Sequence, residues 1–189
     1  KNLRESQTIL AAALWAGLGF SLPLTLACAF WPHLWIPLIN PDPQVCALAA
    51  QFMVITALAL LFTQVIVIYE GVLRAQGHTG LPMVAALVSI ITNCVLNYGL
   101  IFGAWGMPEL GVLGAACGTM IARAVQLAIV LAWVYWRPSG FDLGLTRLLH
   151  ACHPQRLKAF LSFSAPLMAN YAIWGVGNAC YHTLTGFAG

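Results

Sequence analysis

Ser89, Asn93 and Asn97 recur at i, i+4 and i+8 within the apolar run Leu81 to Gly103. One helical face would carry all three, with Ala85 continuing the stripe. Ala115, Thr119, Arg123 and Gln126 share a face of the run Gly111 to Trp136, and Thr56, Thr63 and Glu70 repeat every seven residues in an earlier run. Amides and hydroxyls can bond one helix to another or line a polar path. A guanidinium can hold a carboxylate or another anion. No HExxH or GxSxG motif occurs, Gly19-Phe20-Ser21-Leu22-Pro23 lacking the second Gly, and no carboxylates pair inside an apolar run. These residues point to binding and passage, and the chain is not expected to be an enzyme.

Arg123 lies about 12 residues into its run, about 18 Å along a helix axis. A central Arg costs about 2.5–3.5 kcal/mol even on the lenient insertion scale, so something inside the protein should compensate it. Asn93, Asn97, Glu70 and Asn170 are candidate partners in this chain. Met120, Leu127, Leu131 and Val134, on the other side of the same helix, suit lipid. Arg123 has two competing roles: a structural pin between helices, or a partner of a coupling carboxylate. Asn93 and Asn97 are read both as interhelical glue and as cavity lining. Glu70 and Arg74, at i and i+4 in the favourable order, are most simply a local ion pair at a helix end. Gly99/Gly103 and Gly114/Gly118 have the GxxxG spacing that lets helices approach closely.

His150, Cys152 and His153 are crowded enough to suggest a metal, but they sit in a basic, amphipathic stretch without further ligands. No metal and no cofactor is expected. The six cysteines include no CxxC pair, which argues against a disulfide framework.

The elements that must position these residues are membrane helices. The chain is 61% hydrophobic and 7% charged, with a mean hydropathy of +0.85. A soluble domain carries about 25% charged residues, so lipid must cover much of this surface. Five runs reach the roughly 20 residues that a span requires: Ile9–Phe30, Val45–Ile68, Leu81–Gly103, Gly111–Trp136 and Pro166–Phe187. Asp42 or Asn40 would cap the second, with Pro43 in its first turn. The fold expected is an all-α polytopic bundle.

Lys and Arg occur at every second loop: Lys1 and Arg4, then Arg74, then Arg137, Arg147, Arg156 and Lys158. The positive-inside rule places the amino end and the 137–158 linker in the cytoplasm. Residues 1–136 form a first set of helices, 137–160 a linker and 161–189 the start of a second set. The scattered basic residues, with no interleaved aromatic platform, exclude a nucleic-acid partner. The chain begins at Lys1 and stops as its last run finishes, as an excised piece of a longer polypeptide would.

Glu70-Gly71-Val72-Leu73-Arg74-Ala75-Gln76-Gly77-His78-Thr79, followed by Pro82, resembles the "LRAxGxT" loop of the multidrug and toxic compound extrusion (MATE) family. Asn93-Cys94-Val95-Leu96-Asn97 through Ile101-Phe102-Gly103 is similar to its "N…LN…IFG" helix, and Pro108-Glu109-Leu110-Gly111-Val112-Leu113-Gly114-Ala115-Ala116 to its "PxLGVxGAA" stretch. Ala165-Pro166-Leu167-Met168-Ala169-Asn170, with Trp174-Gly175 after it, looks like the start of the second lobe.

The resemblance implies the third to seventh helices of a two-lobe, twelve-helix transporter in the plasma (inner) membrane. It implies export of organic, often cationic, compounds by alternating access in exchange for H⁺ or Na⁺, with the missing helices of the same polypeptide as partners. Many relatives carry a Glu after the Asn that matches Asn170; Tyr171 stands there. The substrate- or ion-path candidates are Asn93, Asn97, Arg123, Gln126, Asn170 and Tyr171. The alternative is a lipid-linked oligosaccharide flippase of the same superfamily, which would use Arg123 toward anionic headgroups.

Overall fold

The computed structural model describes residues 3–38, 42–136 and 154–187, nearly all helical. The helices are α1 (Leu3–Phe30), the short α2 (Pro32–Trp35), α3 (Pro43–Ala75), α4 (Gly80–Phe102), α5 (Val112–Trp136) and α6 (Pro154–Phe187), with 3-10 turns at Ile36–Leu38 and Ala104–Gly106. In space the long helices run α4, α5, α3, α1, α6, each packed on the next. The bundle is the all-α, polytopic arrangement that the composition demands.

Four described helices are long and apolar enough to cross a membrane: Leu10–Phe30 of α1, and α3, α4 and α5. The fifth expected span, 166–187, lies within a helix, α6, that includes residues whose side chains are outside those described. That helix also begins at Pro154, so its first residues come from the stretch assigned to the linker, and Pro166 lies inside it rather than at its start. The rest of the linker, with His150, Cys152 and His153, lies outside the described residues.

Helix ends follow local chemistry. Asp42 caps α3, its Oδ1 accepting from the Gln44 N–H at 2.9 Å, with Pro43 in the first turn. Asn40, the other expected cap, is outside the described residues. α3 continues past the expected Ile68 to Ala75, which makes it about 50 Å long at 1.5 Å per residue. It therefore includes the Glu70–Arg74 pair. α4 ends on Gly103, whose φ of 66° is the left-handed cap that glycine favours.

The core gathers at one end of the bundle. Leu10 and Leu14 of α1, Tyr69 and Leu73 of α3, Ala85 of α4, and Val130 and Val134 of α5 form one buried cluster. This corrects the expectation that Leu131 and Val134 face lipid. Val134 is 5% exposed, and Leu131 packs against the cluster. α5 lies between α3 and α4, which cover it from two sides. The exposed stripe on α5 is Ile121, Ala128 and Tyr135, one heptad apart.

Candidate functional site

The α4–α5 contact is close because α5 carries glycine where α4 approaches. A Cβ on Gly114 would come within 2.5 Å of the Leu100 carbonyl oxygen, and one on Gly118 would collide with the Asn97 side chain. The second GxxxG pair behaves differently: Gly99 faces the Met107 sulfur and Gly103 is a cap. One of the two motifs is thus a helix contact and the other is not.

The expected polar stripe of α4 lies in that contact. Ser89, 5% exposed, donates to the Ala122 carbonyl at 3.0 Å. Asn97 donates to Asn93 Oδ1 at 3.1 Å, Asn93 donates to Thr119 Oγ1 at 3.2 Å, and Thr119 donates to the Ala115 carbonyl at 2.9 Å. The donors all run one way, from α4 into α5. The chain leaves the Asn97 Oδ1 atom buried without a hydrogen-bond donor. An acceptor without a donor inside a membrane is a place where a proton donor or a cation would be stabilised.

A second network joins α5 to α3. Arg123 Nη1 donates to Gln126 Oε1 at 2.8 Å, and Gln126 Nε2 donates to Glu70 Oε1 at 2.9 Å. The other carboxylate oxygen, Glu70 Oε2, accepts from Arg74 Nη2 at 2.7 Å. Gln126 is 3% exposed and Glu70 5%. The Arg74 side chain, by contrast, is 58% exposed. Glu70 is thus a buried carboxylate between two cations, one direct and one relayed through an amide. The sequence offered Glu70 as a partner for Arg123 and also as a local ion pair with Arg74; the structure shows both, the first through Gln126. The heptad from Thr63 to Glu70 was the signal that it faced inward. Arg123 bonds Gln126 of its own helix, with Glu70 one step beyond.

Other candidates do not join these networks. Asn170 is exposed on α6, and the Tyr171 side chain lies outside the described residues. Thr56 and Thr63 turn back to carbonyls of their own helix, at 2.9 Å and 2.8 Å. Near the opposite end of α4, Tyr98 sits 5.6 Å from Phe102 and 5.4 Å from Trp105, an exposed aromatic group of the kind found at headgroup level.

With this architecture in place, the comparison with known proteins is direct. The MatE family model matches residues 1–99. The chain belongs to the MatE family. That match runs from α1 to Gly99 in α4, and so includes Glu70, Arg74, Asn93 and Asn97. Among MatE-like relatives, a "Probable multidrug resistance protein NorM" of Bradyrhizobium diazoefficiens is 29% identical over 141 residues, 75% of this chain and 30% of the relative. The protein of the same name from Bacillus anthracis is 30% identical over 134 residues, 69% of this chain and 30% of the relative. That from Agrobacterium fabrum is 26% identical over 128 residues, 68% and 27%. The chain spans less than a third of the length of these relatives. No solved structure matches it. Family and spans together make this part of a multi-pass membrane protein.

Proposed function

We propose that this chain is part of a secondary active antiporter that exports organic, often cationic, compounds in exchange for H⁺ or Na⁺. The observation that carries the reading is the MatE match together with relatives named as multidrug resistance proteins. The two polar networks support it, because each places hydrogen-bonding groups inside a bundle whose outer faces are apolar. In this reading the helices of residues 1–136 form part of one lobe, with the amino end, the α3–α4 loop and the 137–158 linker on the cytoplasmic side of the plasma membrane. Alternating access moves this lobe against a second one, which α6 begins. The Asn97–Asn93–Thr119 chain lines the ion or substrate path. The Glu70–Gln126 bond holds α3 and α5 together as the lobe moves, and Arg123 serves as a structural pin.

The experiment is transport by the full-length polypeptide in proteoliposomes. An imposed H⁺ or Na⁺ gradient should drive movement of ethidium. Movement of lipid-linked oligosaccharide with no gradient-driven movement of any cationic dye would replace the antiporter with a flippase.

A further inference from the structure

A groove of about 540 Å³ lies between α1, α3 and α6. Ala16, Gly17, Phe20 and Leu24 of α1 form one wall. Leu60, Gln64 and Val67 of α3 form another, and Leu161 and Met168 of α6 a third. Such a volume suits a drug-sized molecule, and apolar walls with a few polar groups are the usual lining of a ligand pocket. Gly17 matters locally: a Cβ there would collide with the Gln64 amide, so glycine is what lets that amide lie against α1.

The polar groups of the groove are unusual for membrane helices. Thr63, Thr92 and Thr119 each spend their hydroxyl on the carbonyl four residues back, at 2.8–2.9 Å. Ser21 and Thr25, on one face of α1 at i and i+4, do not. Both hydroxyl oxygens are buried without a hydrogen-bond partner among the described residues, and Thr25 is only 3% exposed. Pro23 lies between them inside the helix. It has no N–H, so the Gly19 carbonyl lacks its helical donor. Two unpartnered hydroxyls and a carbonyl without its i+4 donor therefore lie within about one turn, midway along an apolar helix. Proline inside a spanning helix frees a backbone carbonyl that neighbouring groups or a ligand can satisfy.

Charge decides the class of ligand. None of the described lining residues has an ionisable side chain. An ammonium or a phosphate entering here would lose its hydration and gain no counter-charge. A neutral head group meets hydroxyls that both donate and accept, and an amide that does the same. We propose that the groove binds an uncharged amphiphile whose alcohol, phenol or amide head bonds Ser21 and Thr25 and whose hydrocarbon body lies along Phe20, Leu24, Val67 and Met168. Met168 is suited to bodies of varied shape, since its thioether side chain repacks easily. The groove shares α3 and α6 with the export reading and rests on its lobe assignment; what sets it apart is a neutral ligand in place of an exported cation.

The test uses the full-length polypeptide in lipid nanodiscs, with a photoactivatable long-chain alcohol as probe. Labelling should fall on peptides covering 13–25 and 60–68. The Ser21→Ala/Thr25→Val double variant should bind about fivefold more weakly, ~1 kcal/mol at 1.4 kcal/mol per tenfold. Thr25→Ser keeps the hydroxyl and should bind within about twofold of the parent chain, which separates loss of the hydrogen bond from loss of the fold. A quaternary ammonium analogue of equal chain length should not label the groove. Labelling elsewhere, equal labelling by the quaternary analogue, or a double variant that melts normally and binds as tightly as the parent would overturn the proposal. Absence of labelling would do so too, by showing that another helix of the polypeptide fills the groove.

Discussion

Gln126 and Glu70 lie 56 residues apart in sequence, yet the Gln126 amide nitrogen donates to the Glu70 carboxylate at 2.9 Å in a buried setting. The same amide accepts from Arg123 through its oxygen at 2.8 Å. Its two ends are therefore committed to opposite charges, which fixes how the amide is turned. Neither charge touches the other, but each polarises the group between them.

Removing the carboxylate breaks the network at its centre. Glu70→Leu leaves the buried Gln126 donor unpaired, at a cost of about 1–3 kcal/mol. Glu70→Gln retains an acceptor and should cost less. Thermal unfolding of the purified full-length protein should rank the parent first, Glu70→Gln second and Glu70→Leu last. Equal melting of the parent and Glu70→Leu would mean that α3 and α5 are not joined here.

Arg123 separates pinning from coupling. Arg123→Leu strands the Gln126 oxygen and should lower both folded yield and melting temperature. Arg123→Lys can still donate and should recover part of each. The pH and Na⁺ dependence of transport should match the parent in the Lys variant. A shifted dependence with normal folding would assign Arg123 to coupling instead.

The asparagine chain should be robust to single changes. An interhelical hydrogen bond in a membrane averages about 0.6 kcal/mol, so Asn97→Leu alone should have a small effect. Asn93→Leu with Asn97→Leu removes the cross-helix bond as well and should reduce transport or stability clearly. Leu87→Ile is the control, since Leu87 is exposed on another face. Normal transport and melting in the double variant would show that the stripe has no interior role.

Close approach at Gly114 gives a steric test. Gly114→Val would push a side chain into the Leu100 backbone and should cost about 1–3 kcal/mol or more. Gly71→Ala, with nothing within 4 Å of its added Cβ, should be neutral or slightly stabilising. Differential scanning fluorimetry of the two variants would read the contrast.

Sidedness can be read at two exposed loop positions, His78 between α3 and α4 and Glu109 between α4 and α5. In a cysteine-free background, an impermeant thiol reagent added outside intact cells should label Glu109→Cys and spare His78→Cys. The reverse pattern would invert the proposed orientation.

The spans α1, α3, α4 and α5 were legible because each is a long apolar run, and burial of backbone polar groups in lipid leaves little choice but a helix. The α4 stripe of Ser89, Asn93 and Asn97 was legible for a related reason: helical spacing shows which residues share a face. What that spacing does not show is how many neighbours a helix has. Val134 looked lipid-facing because the alternative needed the knowledge that α3 and α4 flank α5. Glu70 was legible as a partner for Arg123, but the relay through Gln126 was not, since spacing along one helix does not show which side chain of α5 reaches α3. The groove could not be anticipated at all, since nothing local distinguishes Ser21 and Thr25 from threonines that bond to their own helix.

The length of α3 ties the buried carboxylate to the lipid itself. At about 50 Å the helix exceeds a hydrocarbon core of about 30 Å, and Glu70 stands five residues from its end. In a thin bilayer that end stands in the headgroup layer, where Arg74 can reach phosphates. A thicker bilayer, or a larger helix tilt, draws the same turn toward the acyl chains and leaves Glu70 more dependent on Gln126. Acyl-chain length thereby becomes a control on the strength of the α3–α5 clasp, and membranes of different thickness would set the same polypeptide to different stiffness.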